Sequence, residues 1–285
     1  MLKRTLTSAI LLLLILPLLW FSDNTLILCT AIAILSSMAV YEAINATHYR
    51  KGLPIILSII FAAVIPFAPV FVEYYDFFPF LKGRITYAVV LIFFMFTVLL
   101  FSTLLLTHKR YTLENISVIF LLAVIISIFF TSLIYVRRMN PGGNFYIYLV
   151  FVGGFMNDTG AYLFGRLLGK HKLAPEISPK KTVEGAIAGV ICAVLGFLIA
   201  AFLINKFNDD LSINYYAFAI CGFFAAIVAQ FGDLTASAIK RNFGIKDFGS
   251  IMPGHGGILD RFDSIIFVSP FIFIYCGLFP LIKVA

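Results

Sequence analysis

The sequence predicts an all-α, polytopic integral membrane protein with about nine transmembrane helices and a cytoplasmic N-terminus. Three observations carry that expectation: an apolar composition, apolar runs of spanning length, and an uneven distribution of Lys and Arg. Of the 285 residues, 61% are hydrophobic and 12% charged, with a mean hydropathy of +1.02. An average soluble domain is about 25% charged. This chain has about half of that, too little to cover a globule with polar surface, so it needs lipid as its solvent. A polar stretch long enough for a separate soluble domain is absent.

A helix crossing roughly 30 Å of hydrocarbon needs about 20 apolar residues. Nine runs qualify, at about 6–21, 25–43, 53–72, 85–107, 114–136, 144–166, 182–205, 214–240 and 263–283. Lys3 and Arg4 precede the first run, but no small-x-small cleavage site follows it, so it reads as a retained span. The first two runs are joined only by Ser22-Asp23-Asn24, which implies a tight helical hairpin.

Orientation follows from the cations, which concentrate in cytoplasmic loops. With the N-terminus inside, the inner segments hold Lys3, Arg4, Arg50, Lys51, Lys109, Arg110, Arg166, Lys170, Lys172, Lys180, Lys181, Lys240, Arg241, Lys246 and Arg261. The outer segments hold Lys82, Arg84, Arg137, Arg138, Lys206 and Lys283, six against fifteen. Arg137 and Arg138 run against the rule. The two longest polar connections, 167–181 and 241–262, then face the cytoplasm, where nucleotides are available. The chain divides into 1–140, about five spans, and 141–285, spans that carry the polar residues.

The net charge of +7 arises in short loops between apolar runs. Part of it sets topology, and part is available to hold phosphate. Cys29, Cys192, Cys221 and Cys276 lie in apolar runs without CxxC or Cys/His pairing. They indicate neither a disulfide framework nor a zinc site and read as small packing residues.

Carboxylates inside apolar runs are energetically costly. Asp158, in GGFMNDTGAYLFGR, and Asp233, in AQFGDLTASAIKR, are the two that stand out. Glu42, near the end of the second run, is less informative and reads equally as an exposed or salt-bridged residue. From Asp233, Ser237, Lys240 and Arg241 follow at i+4, i+7 and i+8, so one helix face begins with a carboxylate and ends with two cations. That order suits a metal below and a phosphate above. An intrahelical charge ladder that snorkels is the plainer alternative.

Asp158 has Asn157 beside it and Arg166 two turns on. Gly153, Gly154, Gly160 and Gly165 around it suit close helix packing rather than a phosphate loop. In Ser178-Pro-Lys-Lys-Thr-Val-Glu-Gly185, Ser178, Pro179 and Thr182 read as helix-start residues. A helix N-terminus attracts anions, and Lys180 and Lys181 would add charge there. Equally, they are positive-inside lysines.

The densest stretch, Ser237 to Asp263, holds Lys240, Arg241, Lys246, Asp247, His255, Asp260, Arg261 and Asp263. Pro253-Gly254-His255-Gly256-Gly257 excludes a regular helix interior. Asp260 and Asp263 are i, i+3 at the start of the last run and share a face. Two carboxylates so placed suit Mg²⁺, with waters and substrate phosphates completing the shell. Asp233 makes a third. His255 reads as a general base, a phosphate donor or a structural residue of the turn.

Ser237, Lys240, Arg241, Lys246, Asp247, Pro253, His255, Gly256, Gly257, Asp260, Arg261 and Asp263 resemble the signature S-x-x-K-R-x4-K-D…H-G-G-x-x-D-R-x-D of the phosphatidate cytidylyltransferases. Met252 stands where Leu or Ile is commoner. NDTGAYLFGR and SPKKTVEG resemble further family elements, so the resemblance covers about 150–265, while 1–140 agrees only as apolar spans. The resemblance implies conversion of CTP and phosphatidic acid to CDP-diacylglycerol and pyrophosphate. It implies Mg²⁺, with room for a second cation, and a homodimer in the inner membrane. It further implies that Asp233, Asp260 and Asp263 hold the metal, with Lys240 and His255 counted in the catalytic set. Asn157, Asp158, Lys180, Lys181, Ser237, Arg241, Lys246, Asp247 and Arg261 would line the polar substrate site.

An ion-coupled secondary transporter of a phosphorylated substrate is the rival reading, because it too uses intramembrane carboxylates. Against it, the polar residues gather in one third of the chain and no inverted repeat is visible. The aspartate-rich pattern of CDP-alcohol phosphotransferases is absent, and a non-catalytic lipid scaffold would not need three carboxylates near a basic loop.

Overall fold

A computed structural model describes residues 24–47, 52–73, 85–106, 110–249 and 256–284. The apolar run at 6–21, the Ser22-Asp23 turn and His255 lie outside them. The described helices are α1 (Thr25–Ala46), α2 (Leu53–Val64), α3 (Ala68–Glu73), α4 (Ile85–Leu106), α5 (Leu113–Arg137), α6 (Gly143–Leu168), α7 (Val183–Phe207), α8 (Tyr215–Asn242) and α9 (Leu259–Leu278). A 3₁₀ turn, Ile65–Phe67, joins α2 to α3. Among the described residues, seven helical segments are long and apolar enough to cross a membrane, so the chain is read as an integral membrane protein. The long helix left out is α6, whose Asn157, Asp158 and Arg166 lower its hydropathy.

Two corrections apply to the all-α expectation. The connection 167–181 is not simply a loop, because Lys172–Ala174 (β1) and Ser178–Thr182 (β2) pair antiparallel. Leu211–Ile213 (β3) likewise pairs with Ile282–Val284 (β4), so the last helix stops at Leu278 instead of running to 283.

The chain forms two compact units. The first comprises Met1–Ile134 and Asp247–Arg261. Asn24 starts α1 by accepting the Leu26 and Ile27 amides on its side chain, satisfying donors that a helix start leaves unpaired. Thr112 does the same for α5, accepting the Asn115 amide. Inside this unit the Phe61 ring stacks on Phe96 at 4.3 Å, and Phe96 on Phe120 at 5.9 Å, binding α2, α4 and α5.

The second unit comprises Tyr135–Lys246 and Phe262–Ala285. Its helices meet through small residues, as expected for packing without a hydrophobic drive between helices. A Cβ on Gly160 would strike the Cys192 side chain at 2.6 Å, and one on Gly185 would meet Gly165 Cα at 2.9 Å, which clasps α6 against α7. Gly154 faces Ile265, and Gly232 faces the Asp263 carbonyl and the Phe267 ring. Those two contacts draw α9 against α6 and α8. The packing role expected for the glycines around Asp158 is therefore observed. Arg137, one of the two cations against the positive-inside rule, donates to the Asn144 side chain at the start of α6.

A basic cavity and a carboxylate network

The second unit encloses a cavity of about 440 Å³. Asn157, Asp158 and Arg166 reach it from α6, Lys172 from β1, Lys180, Lys181 and Thr182 from β2, and Gln230 and Asp233 from α8. Local structure explains each placement. Lys180 and Lys181 sit on a strand, not on the first turn of α7, and the helix begins only after Thr182. Thr182 Oγ1 accepts the Gly185 amide, and the His171 carbonyl accepts the Val183 amide. Two early donors of α7 are thus already used, so the hairpin, and not the helix start, presents the charge. Ser178 and Pro179, expected at that helix start, belong to β2.

Glu184 holds the hairpin down. Its carboxylate accepts the Lys170 and His171 amides and meets His171 Nδ1 at 2.6 Å. Arg241 reaches the same region from the end of α8, donating from Nε to the Ile177 carbonyl and from a terminal nitrogen to the Ile245 carbonyl. This engages Arg241 with backbone and fixes the turn of the hairpin.

A polar chain runs behind the cavity. Gln230 Nε2 donates to Asn157 Oδ1 at 2.8 Å and to the Ala186 carbonyl at 2.9 Å. Asn157, only 1% exposed, donates in turn to Asp158 Oδ1 at 3.1 Å. Ser264 Oγ donates to the other oxygen, Asp158 Oδ2, and the Ser264 amide donates to Asp263 Oδ1 at 2.8 Å. Asp158 is thereby oriented from both sides. Asp233 forms an ion pair with Lys181. Asp158, Asp233 and Asp263 stand near enough for their charges to act on one another, and Lys240 acts on Asp263. Both Lys240 and Asp263 are buried. Ser237 is half-buried and Lys246 exposed, and neither lines the cavity.

Three of the expected site residues that the structure describes, Asp247, Asp260 and Arg261, belong to the first unit. Asp260 Oδ2 accepts the Phe248 amide at 2.8 Å and the Gly257 amide at 3.0 Å, closing the connection between α8 and α9 upon itself. Asp247 and Asp260 flank Gly256, whose φ of +84° is a backbone conformation glycine adopts without strain. Arg261 and Asp247 are exposed.

The donor chemistry fits a hard divalent ion. Mg²⁺ is commonly held by one or two carboxylates, with waters and substrate phosphates filling the rest of its octahedron. Asp233 and Asp263 supply such oxygens in the second unit, and Asp260 in the first. Among the described residues, no three His, Cys, Asp or Glu side chains form a ready-made cage, an arrangement this coordination style does not need.

Sequence reasoning missed Gln230, Ser264, Lys172, Glu184 and the place of Glu42. Gln230 carries a signal: it is a lone amide in an apolar run, one turn before Asp233. Glu42 is not exposed, and it forms no salt bridge among the described residues. It is 2% exposed, and Oε2 accepts the Leu259 amide at 3.0 Å.

The profile of the Cytidylyltransferase family matches residues 2–279. Over 271 residues, 94% of this chain and 95% of the other, the chain is 35% identical to the phosphatidate cytidylyltransferase of Staphylococcus haemolyticus. It is 41% identical over 186 residues to that of Bacillus subtilis, covering 65% and 67% of the two chains. With the enzyme of Staphylococcus aureus the identity is 46% over 128 residues, covering 45% and 47%.

Proposed function

The chain belongs to the cytidylyltransferase family, and from that premise we infer that it is a phosphatidate cytidylyltransferase of phospholipid biosynthesis. It converts CTP and phosphatidic acid into CDP-diacylglycerol and pyrophosphate. One observation carries the reading on the structural side. Arg166, Lys172, Lys180 and Lys181 surround one cavity with Asp158 and Asp233, in a chain of which only 12% is charged.

The chemistry is a phosphoryl-centre displacement between two anions. A phosphate oxygen of phosphatidate attacks the α-phosphorus of CTP. The bond from that phosphorus to the β-bridging oxygen breaks, and pyrophosphate leaves with the electron pair. The attacking phosphate is largely ionised near neutral pH, so a strong general base is unnecessary. The lysines and Arg166 offset the repulsion between the reactants and the charge on the departing oxygens. Because the cations sit on a pinned hairpin and on α6, which packs closely against α7, little reorganisation is needed as that charge develops. Asp158, fixed by Asn157 and Ser264, and Asp233, paired with Lys181, set where the cations stand. On the family resemblance, Asp233, Asp260 and Asp263 are the carboxylates that would hold Mg²⁺, which would supply positive charge to the phosphates and the leaving group.

The same proposal places the protein in the cytoplasmic membrane, N-terminus inside, with the cavity open to the cytoplasm. The cation count, fifteen against six, supports this. A homodimer belongs to it on the family resemblance alone.

The test is a purified, detergent-solubilised chain with α-labelled CTP. Label appearing in lipid with one pyrophosphate released per lipid, dependent on phosphatidate and lost when diacylglycerol replaces it, supports the reading. Absence of labelled lipid from folded protein overturns it.

A further inference from the structure

The first unit contains a buried carboxylate that the reaction as described does not use. Glu42 lies in the last turn of α1, and 217 positions separate it from its partner Leu259. Oε2 accepts the amide of Leu259, the first residue of α9, at 3.0 Å. Gly249 and Gly257 press on the group so closely that a Cβ on either would lie within 2.7 Å of its carboxyl carbon. Oε1 has no hydrogen-bond partner among the described residues.

This is an expensive arrangement in a chain that lives in lipid. A buried carboxylate with an unpaired oxygen carries a desolvation penalty that an apolar residue would avoid. The compensation lies at the start of α9. A helix N-terminus presents unpaired amides and a partial positive charge, and a carboxylate there satisfies both. Asp260, the next residue after Leu259, grips the Phe248 and Gly257 amides from inside the connection. Glu42 grips its far end at Leu259. Gly257 is thus held between two carboxylates, one from each side.

We propose that Glu42 is a positioning residue for cytidylyl transfer: it fixes the Gly256–Gly257 turn and the first turn of α9, and through them the carboxylate of Asp260. The N-terminal helices thereby take part in shaping the signature segment. The kinetic side of this inference rests on the proposed reaction, and the structural side does not.

The experiment compares E42Q with E42L in the full-length, detergent-solubilised protein. Gln keeps a carbonyl acceptor for the Leu259 amide. Leu keeps the bulk, removes the acceptor, and relieves the buried charge, so it favours a folded chain. Hydrogen exchange of the peptide amides in 256–262 is read alongside kcat and KM per folded molecule. In E42L, exchange there is expected to rise about tenfold or more, with amides of α4 unchanged. Its kcat should fall about thirtyfold, with KM for CTP and for phosphatidate within about threefold of wild type. E42Q should stay within about threefold on every readout. Should E42L fail to fold, L259P replaces it, since Pro is tolerated at a helix's first residue; it removes the buried Leu259 side chain along with the donor, so L259A, which keeps the donor, is run beside it, and the same exchange and kcat changes are expected beyond those of L259A. Unchanged exchange in 256–262 in the acceptor-less or donor-less variant overturns the proposal whatever the activity. Faster exchange with unchanged kcat in E42L confines Glu42 to stability and also overturns it. A chain with no transferase activity but the expected exchange change would instead sink the proposed reaction and leave the structural coupling standing.

Discussion

Gly189 and Gly196 lie seven residues apart on α7, and a methyl group added to each tests the carboxylate network. At Gly189 a Cβ would meet Asn157 Oδ1 at 2.7 Å and the Asn157 backbone carbonyl at 2.8 Å. At Gly196 its nearest neighbours are Met156 Cγ at 2.9 Å and Val152 Cγ1 at 3.0 Å, both side-chain atoms. A methionine gives way readily, whereas a helix carbonyl moves only if the helix does. Overpacking of the second kind costs about 1–3 kcal/mol. Displacing Asn157 also weakens its bonds from Gln230 and to Asp158. Those are worth about 1 kcal/mol each by general mutational series, or about 0.6 kcal/mol each by intramembrane cycles. A loss of about 1–2 kcal/mol at Asp158 corresponds to roughly five- to thirtyfold in rate. G189A should therefore lose about tenfold in labelled CTP incorporation and unfold at a lower temperature in detergent. G196A should stay within about threefold. Equal activity and stability in the two variants would refute the claim that Asn157 orients Asp158 through close α6–α7 packing.

Other perturbations follow from the same geometry. K181M removes both a cavity cation and the partner of Asp233, so turnover should fall about a hundredfold with the fold intact; wild-type turnover would remove the pair from the site. E184A releases the Lys170 and His171 amides, so trypsin should cut at Lys172 and Lys180 at least about five times faster, and an unchanged cleavage rate would show that the hairpin does not depend on Glu184. Lys206 is exposed at the far end of α7 from the cavity, with its ammonium 5.9 Å from the Phe207 ring centroid, so K206A should be silent in turnover, and a large loss would contradict the placement of the site.

Helices were legible because lipid imposes one constraint on every span: an apolar run of fixed length. The run at 114–136 became Leu113–Arg137, and that at 182–205 became Val183–Phe207. Asn157, Asp158 and Asp233 stood out because polar groups in such runs need a reason, and one cavity gathers them with Lys180 and Lys181, which the sequence read equally as positive-inside lysines. The hairpin of β1 and β2 was not legible. Strands of three and five residues carry no usable period, and Glu184, which accepts the Lys170 and His171 amides at the entry to the hairpin, follows it on the next helix. The last run was misplaced by four residues because Leu259–Phe262 contains Asp260 and Arg261, which hydropathy assigns to a loop although they open the helix. Glu42 was unreadable for a different reason. Its partner is determined by the fold, and a carboxylate near a helix end looks the same whether it faces solvent or caps a distant helix.

The central claim is that this chain transfers a cytidylyl group at a site that depends on the carboxylates of the signature segment. Its most direct test measures incorporation of labelled CTP into lipid by the purified chain with phosphatidic acid, with Mg²⁺ or with EDTA, wild type beside D260N. Asn retains an acceptor for the Phe248 and Gly257 amides and removes only the charge, so the variant should fold. The account predicts lipid-linked CMP from the wild type with Mg²⁺, none with EDTA, and none from folded D260N. Near-normal product from D260N, or product undiminished by EDTA, would contradict it.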